Sequence, residues 1–475
     1  MNGSKQAIDP VQPEGFGPVD LYQRRERIYT RFVGGFFQRL RFFTGWPLLL
    51  GYFALPWVHW QDRQAILFDL PARQFHIASL TFFPQDLWLL GWVLIIAAFG
   101  LFMATTLVGR LWCGYTCPQT VWTAIFMWME QVAEGPRHQR IRLANSPWSL
   151  EKLRKRLAKH SMWLGWAGFT GFTFIGYFTP IRDLVPSLWT QQANPWVVFW
   201  GLFFTAATYI NAGWLREQVC IYMCPYARFQ SALFDRDTLI VSYDRERGEP
   251  RGSQKRRPHP TSGTGSNGDC VDCQMCVQVC PVGIDIRDGL QYQCIGCAHC
   301  IDACDQVMDK MNFSRGLVSY TTESKLAGQP TRWLRPRSVG YGVVLTACCL
   351  ALVVALFNRQ TLELDIVRQR GELAQRFNDT QVMNQYSLQA LNKTQRPQQY
   401  SISVSSSAPI TIHRHQQLSS QLHSSPGEII NLPLTLMATQ TALSAPSVLV
   451  NVELCDTETG QCDMAKTTFF NVVGP

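Results

Sequence analysis

The chain has 475 residues, 47% hydrophobic and 12% aromatic, with a formal net charge of +9, which leaves room for about three domains. Its lysines and arginines sit beside long apolar runs, so they read as membrane-topology signals, and no nucleic-acid partner is expected. No P-loop is present, so a site of that kind for nucleotide is not indicated.

Residues 1–40 are polar and carry Arg24, Arg25, Arg27, Arg31 and Arg39. They predict a cytoplasmic N-terminal arm without a cleavable signal peptide, so the first span directs its own insertion. A transmembrane region follows at 41–246. Five stretches approach the roughly 20 apolar residues that cross a bilayer. They are Phe42–Trp60, Asp86–Val108, Ser161–Thr179, Pro195–Leu215 and, past this region within 338–357, Val339–Phe357. Val121–Met129 is apolar but too short, and is expected at the interface or re-entrant. The loop between the second and third spans holds nine lysines and arginines, against three in the loops after the first and third. That bias puts the N-terminus, this loop and 216–338 in the cytoplasm, and the region after Phe357 outside.

Two of the predicted spans exit through the same motif. One reads Cys113-Gly114-Tyr115-Thr116-Cys117-Pro118, the other Cys220-Ile221-Tyr222-Met223-Cys224-Pro225. Proline suits the first turn of a helix, which places Cys117 and Cys224 at helix N-termini, where the dipole favours the thiolate. Four thiolates from paired repeats could gather at one soft-metal site, and thiolates prefer Cu(I). Disulfide–dithiol cycling is a second reading, and buried helix-end cysteines that merely pack are a third. Met127, Met129 and Met223 could add thioether sulfur, although methionine in apolar helices is commonly filler.

Residues 247–268 read as a flexible basic linker. Residues 269–337 contain eight cysteines in two identical frames: Cys270, Cys273, Cys276 and Cys280, then Cys294, Cys297, Cys300 and Cys304. This is the spacing of a bacterial two-cluster ferredoxin, in which three close cysteines hold one cubane and the fourth crosses to the other. The rule groups Cys270, Cys273, Cys276 and Cys304 around one 4Fe–4S cluster, and Cys294, Cys297, Cys300 and Cys280 around the second. Structural zinc is the rival that the repeated frame disfavours. Cys304 is followed by Asp305 where Cys280 is followed by Pro281. His299 lies in a cluster loop and is expected to be solvated, with tuning of the cluster potential as the alternative. No histidine sits mid-span, which argues against haem b in the bilayer. Cys348 and Cys349, inside the last span, read as packing residues.

Residues 358–398 are polar and predict a juxtamembrane tether. Residues 399–475 change to short β-type runs at Tyr400–Val404, Ile410–Ile412, Ile429–Leu436, Val448–Leu454 and Thr467–Val473, the pattern of a small antiparallel sandwich. Cys455 and Cys462 flank a hairpin-like tip. A disulfide suits an exported domain, and a metal-binding pair is the alternative.

A multi-domain membrane protein with an inserted two-cluster ferredoxin (α+β), two Cys-x3-Cys-Pro motifs and an exported sandwich resembles the CcoG family of cytochrome c oxidase accessory proteins, also called FixG or RdxA. The likeness covers nearly the whole chain. NapH-type membrane ferredoxins share the clusters and Cys-x3-Cys-Pro elements, and the C-terminal domain, Ig-like in the CcoG family, decides between the two. The resemblance implies a bacterial inner-membrane protein that reduces Cu(II) to Cu(I) for copper supply to cbb3-type oxidase. Cys113, Cys117, Cys220 and Cys224 would be the copper-handling thiolates. Its implied partners are a cytoplasmic electron donor, copper-handling proteins, oxidase subunits and membrane lipid, with the copper site built within one chain or across a homodimer. Two rivals are a quinol dehydrogenase subunit feeding a periplasmic reductase, which needs a quinone pocket among the spans, and a non-catalytic oxidase scaffold.

Overall fold

Among the described residues, three helices are long and apolar enough to cross a membrane: Pro84–Val108, Pro195–Leu215 and Pro336–Phe357. The structure, a computed structural model, describes residues 27–60, 63–253, 268–369, 371, 374–378, 380–394, 396–413, 422–443 and 445–471. Arg24 and Arg25 of the predicted arm, and 254–267 of the predicted linker, lie outside the described residues.

The other two expected spans form helices with different bounds. Phe36–Ala54 carries Pro47 inside it and gives way to a single 3-10 turn at Leu55–Trp57 and a strand at His59–Trp60, so Phe42–Trp60 is not one span. Leu150–Ile175 starts well before Ser161. Its Ser149 cap accepts from the Lys152 amide at 3.2 Å, and Glu151 pairs with Lys155 at 2.7 Å. A capped, charged first turn extends the helix below the apolar stretch that a hydropathy reading detects. The short run Val121–Met129 belongs to Pro118–Glu134, whose Phe126 and Met129 pack on Trp163 and Ala167 of Leu150–Ile175.

The ends of the apolar helices sort the remaining chain onto opposite sides. At the C-terminal end of Leu87–Val108, the Thr106 carbonyl accepts from Arg335 at 2.8 Å and from the Thr238 hydroxyl at 3.0 Å. At the opposite end, Asp86 pairs with Arg359 at 2.5 Å and Lys393 at 3.2 Å. The eight-cysteine region therefore lies at one end of the bundle and the β-sandwich at the other.

The ferredoxin core begins earlier than residue 269. Strand Ile240–Tyr243 pairs antiparallel with Val318–Thr321, and Arg247 pairs with Asp269 at 2.8 Å, so part of the expected linker is structured. Val241, Tyr243, Ile286, Ile301, Met308, Phe313 and Val318 form its buried core. Asp302 docks the first helix onto it, accepting the backbone N–H of Phe37 at 3.2 Å and of Gln38 at 2.8 Å. Those are N–H groups of the first turn that the helix itself cannot satisfy, and a carboxylate there also meets the positive end of the dipole.

The expected tether at 358–398 is instead part of the sandwich, which begins at Leu362. One sheet runs Ile410–His413, Ile429–Thr439, Gln381–Asn392, Leu362–Arg368, with Gln375–Asn378 also on the Gln381–Asn392 strand. The other runs Leu422–Ser424, Gln398–Ser406, Ser447–Asp456, Cys462–Phe470. The 381–392 strand looked polar because its outward positions are polar, while Val382, Tyr386, Leu388 and Ala390 alternate inward into the core with Leu436, Val452 and Phe469. Cys455 and Cys462 face each other in register and are joined by a disulfide, so this pair offers no free thiolate for a metal. Between the first two helices lies a small antiparallel sheet, Ile66–Asp69, Gln74–Ile77 and Leu80–Phe82, that the sequence reading did not anticipate.

Candidate redox centre

The two cysteine frames fold the same way. In the first, Asp272 and Gln274 take positive φ of 51° and 54°; in the second, Gly296 and Ala298 take 66° and 60°. These paired left-handed residues curl each loop around a cavity before a helix departs, Met275–Gln278 from the first and His299–Met311 from the second. The missing proline has a local reason. The second helix runs on through Cys304 and Asp305, where a proline would break it, whereas the first ends just before Cys280-Pro281.

One cavity is lined by Cys270, Cys273, Cys276 and Cys304, with Tyr243, Met308 and Leu317 among its walls. The other is lined by Cys280, Cys294, Cys297 and Cys300, with Val282, Ile286 and Ile295; Cys276 touches this second cavity too, so the two are neighbours. The two are equal in size, about 20 Å³ each. Burial first, then repulsion between thiols or from carboxylates, pushes Cys276 and Cys294 up to about 11 and Cys280 and Cys304 to about 12. Four sulfurs in an apolar pocket form a donor set that ionises only around a cationic guest, and this chemistry fits an iron–sulfur core.

The two Cys-x3-Cys-Pro motifs share a backbone plan. Cys117 and Cys224 precede helices Pro118–Glu134 and Pro225–Leu233, each with proline in its first turn. Four residues before Cys113 and Cys220, the chain turns at positive φ, 60° at Gly109 and 46° at Arg216. Gly109 has no alternative, since a Cβ there would fall 2.5 Å from the Leu239 carbonyl oxygen. Arg216 carries the same turn as a non-glycine residue because it is clamped: Glu130 accepts from its guanidinium at 2.6 Å and the Gly213 carbonyl at 2.9 Å. The chain before this turn and before Cys224 is π-helical, over Tyr209–Leu215 and Val219–Met223.

The repeats brace each other and the ferredoxin. Arg110 donates to the Ala227 carbonyl at 2.6 Å and the Cys294 carbonyl at 3.1 Å. Gln119 reaches across to the Asn211 and Arg216 carbonyls at 2.9 and 3.2 Å. Arg41 donates to the Gly114 carbonyl at 2.9 Å and contacts His299. Cys113 packs against the cluster formed by Val282, Ile295 and Cys297, with Cys280 beside it. Its thiol lies 3.4 Å from the side-chain oxygen of the buried Gln230.

Cys113, Cys117, Cys220 and Cys224 are all partly buried. Burial first, then Cys117, pushes Cys113 up to about 11; burial, then Cys117, Cys113 and Cys224, pushes Cys220 up to about 12. Among the described residues, no three of these sulfurs come within 4.8 Å of one another; the one such group is Glu453 with the disulfide pair. Arg110, Arg41, Gln230 and the Glu130–Arg216 pair were not singled out from sequence; the only trace was polar side chains within apolar helices. His299, expected in solvent, instead contacts Arg41 and Gln38 beside a cavity.

Residues 215–323 match the family model of a 4Fe–4S dicluster domain, 90–133 that of a 4Fe–4S binding domain, and 352–471 that of the Ig-like fold at the C-terminus of FixG. The chain is 39% identical over 422 residues to the nitrogen fixation protein FixG of Rhizobium meliloti (strain 1021), covering 81% of this chain and 80% of that protein. The chain belongs to the FixG/RdxA family. Two further FixG/RdxA-family proteins, from Cereibacter sphaeroides, are RdxB, 39% identical with 88% of this chain and 89% of that protein covered, and RdxA, 38% identical with 82% and 84% covered. This FixG-family chain is therefore an iron–sulfur protein of redox type with 4Fe–4S binding domains, a C-terminal Ig-like domain and, among the described residues, three helices fit to cross a membrane.

Proposed function

We propose that this protein reduces Cu(II) to Cu(I) at Cys113, Cys117, Cys220 and Cys224, as a step in copper supply to a cbb3-type cytochrome oxidase. Cys270, Cys273, Cys276 and Cys304 hold one 4Fe–4S cluster, and Cys280, Cys294, Cys297 and Cys300 the other. When bound, these clusters supply one-electron carriers. The observation that carries the reading is the seating of Cys113 against Cys280 and Cys297, which puts the thiol site directly beside the second cysteine-lined cavity.

The chain's own residues then do three things. Arg110 and Arg41 fix the first motif to the Cys294–Cys300 loop, Gln230 orients the Cys113 thiol, and Glu130 holds the second motif's turn through Arg216. One electron converts each Cu(II) substrate ion to Cu(I), and soft sulfur favours that product. The cysteine-rich end faces the cytoplasm and the Ig-like domain the periplasm of a bacterial inner membrane. This orientation is supported by the lysine and arginine bias, by the disulfide in the Ig-like domain and by the opposite placement of the two regions. The Ig-like domain offers the surface for oxidase subunits or copper-handling proteins.

The test changes Cys117 and Cys224 to serine and measures copper and iron separately. The expected result is lost copper binding and copper reduction at an unchanged iron content of about eight per chain. Equal loss of both metals defeats the assignment, as does a wild-type content of about twelve irons, which would give these thiols to a third cluster.

A further inference from the structure

A cavity of about 570 Å³ opens between the first helix, Phe36–Ala54, and Pro118–Glu134, and its end wall includes Val279, Pro281 and His299. Val279 and Pro281 flank Cys280, and His299 precedes Cys300, so this end abuts the second cysteine-lined cavity. The side walls are aromatic and apolar, with Phe42, Trp46, Trp128 and Trp166 among them. Phe42, Trp46 and Trp128 are also exposed on the outer surface, so the mouth of the cavity is itself greasy. Polar side chains line it as well, and Gln38, Arg41 and His299 meet beside the cysteine loop. The Nε2 of His299 lies 2.5 Å from both the Arg41 guanidinium and the Gln38 side chain.

We propose that this cavity binds a membrane quinol, with its ring at Gln38, Arg41 and His299 and its isoprenoid tail leaving between Trp46 and Trp128. The inference rests on the reading that Cys280, Cys294, Cys297 and Cys300 hold a redox centre, and it replaces the expected cytoplasmic donor with one carried in the membrane. Size and lining fit a small apolar ligand with a polar head. A carrier protein is too large for the cavity, and a phospholipid has no electrons to give. The step balances: the quinol loses two electrons and two protons to become the quinone. The electrons leave one at a time through the wall at Val279 and Pro281, and onward to two Cu(II) ions; the protons pass to water. Aromatic walls at the lipid side and hydrogen-bonding groups at the cysteine side place the reactive ring next to the acceptor and the tail in its solvent.

The test uses the iron-loaded full chain in lipid nanodiscs with an azido-substituted decylbenzoquinone. Irradiation is expected to label Phe36–Ala54 and Pro118–Glu134, and excess decylbenzoquinone to prevent it. Ala124→Trp, which fills the cavity, should reduce labelling about tenfold or more, and Gln38→Leu should weaken competition about three- to tenfold. Iron content reports that each variant has folded and loaded. Decylbenzoquinol should bleach the iron–sulfur absorbance of the wild type and not of Ala124→Trp, while dithionite bleaches both. Label spread over the three apolar helices without competition overturns the proposal, and so does label displaced by phospholipid and not by quinone. If instead the copper reading is at fault, labelling and quinol bleaching persist while Cu(II) fails to reoxidise the protein.

Discussion

Gly114 lies so close to Gly296 that a Cβ at position 114 would fall 2.7 Å from the Gly296 carbonyl oxygen. One glycine belongs to the first Cys-x3-Cys-Pro motif and the other to the loop of Cys294 and Cys297, so the two sites touch through bare backbone. Gly114→Ala must push them apart, at a cost of about 1–3 kcal/mol for forced overpacking. Slower Cu(II) reduction at unchanged iron content is the expected outcome, read by Cu(I) chelator absorbance alongside iron analysis. An unaltered rate would show that this contact does not set the electron path.

The crossed grouping of cysteines has its own signature. Cys280→Ser and Cys294→Ser strike the same cavity, so the double variant should lose no more iron than either single one, about four of eight per chain. Cys304→Ser combined with Cys294→Ser strikes both cavities and should lose nearly all. Iron analysis with Mössbauer counting of the remaining cluster checks this. If Cys304 and Cys294 behave as partners instead, the crossing is wrong.

Glu130 is fully buried and paired with Arg27, Arg140 and Arg216. Burial pushes its carboxyl up, but Arg216, Arg27 and Arg140 together outweigh this and hold it below its ordinary value of 4.5. A lowered carboxyl contributes stability that is present above pH 4.5 and lost as pH falls through the lower folded value. Glu130→Gln should therefore cost on the order of 3 kcal/mol at pH 7 by leaving arginines unpaired, and flatten the acid limb of the unfolding profile. Thermal unfolding in detergent across pH 3–7 is the measurement, and parallel acid limbs in both proteins would contradict it.

The disulfide closes a short loop, with a sequence separation of 7 between Cys455 and Cys462. Chain-entropy arithmetic gives about 2.5 kcal/mol for such a loop. Cys455→Ser with Cys462→Ser should lower the unfolding midpoint of the Ig-like domain, followed by limited proteolysis within 362–470, and leave iron content and copper reduction as in the wild type. Lost copper reduction in that variant would give the pair a redox role.

Much of this architecture was legible because its causes are local. Cysteine spacing dictates which loops can wrap a cluster, and proline after Cys117 and Cys224 marks where helices start. Strand 381–392 was missed because its inward Val382, Tyr386 and Leu388 are diluted by outward Gln385 and Gln389, so alternation hid inside a polar average. Arg216 gave no sign of sharing the turn made by Gly109, because its positive φ is sustained by Glu130 on another helix. The cavity beside His299 arises from the packing of segments distant in sequence, which no local pattern records.

The central claim is that electrons held behind Cys280 and Cys297 reach copper through Cys113 and its three partner thiols. It is tested most directly by mixing anaerobic, dithionite-reduced full-length protein, freed of excess reductant, with Cu(II), and following iron–sulfur absorbance and Cu(I) together. The account predicts about two Cu(I) per chain, one for each cluster oxidised, and no such exchange in Cys113→Ser with Cys220→Ser at full iron content. Equal reoxidation in wild type and variant would contradict it.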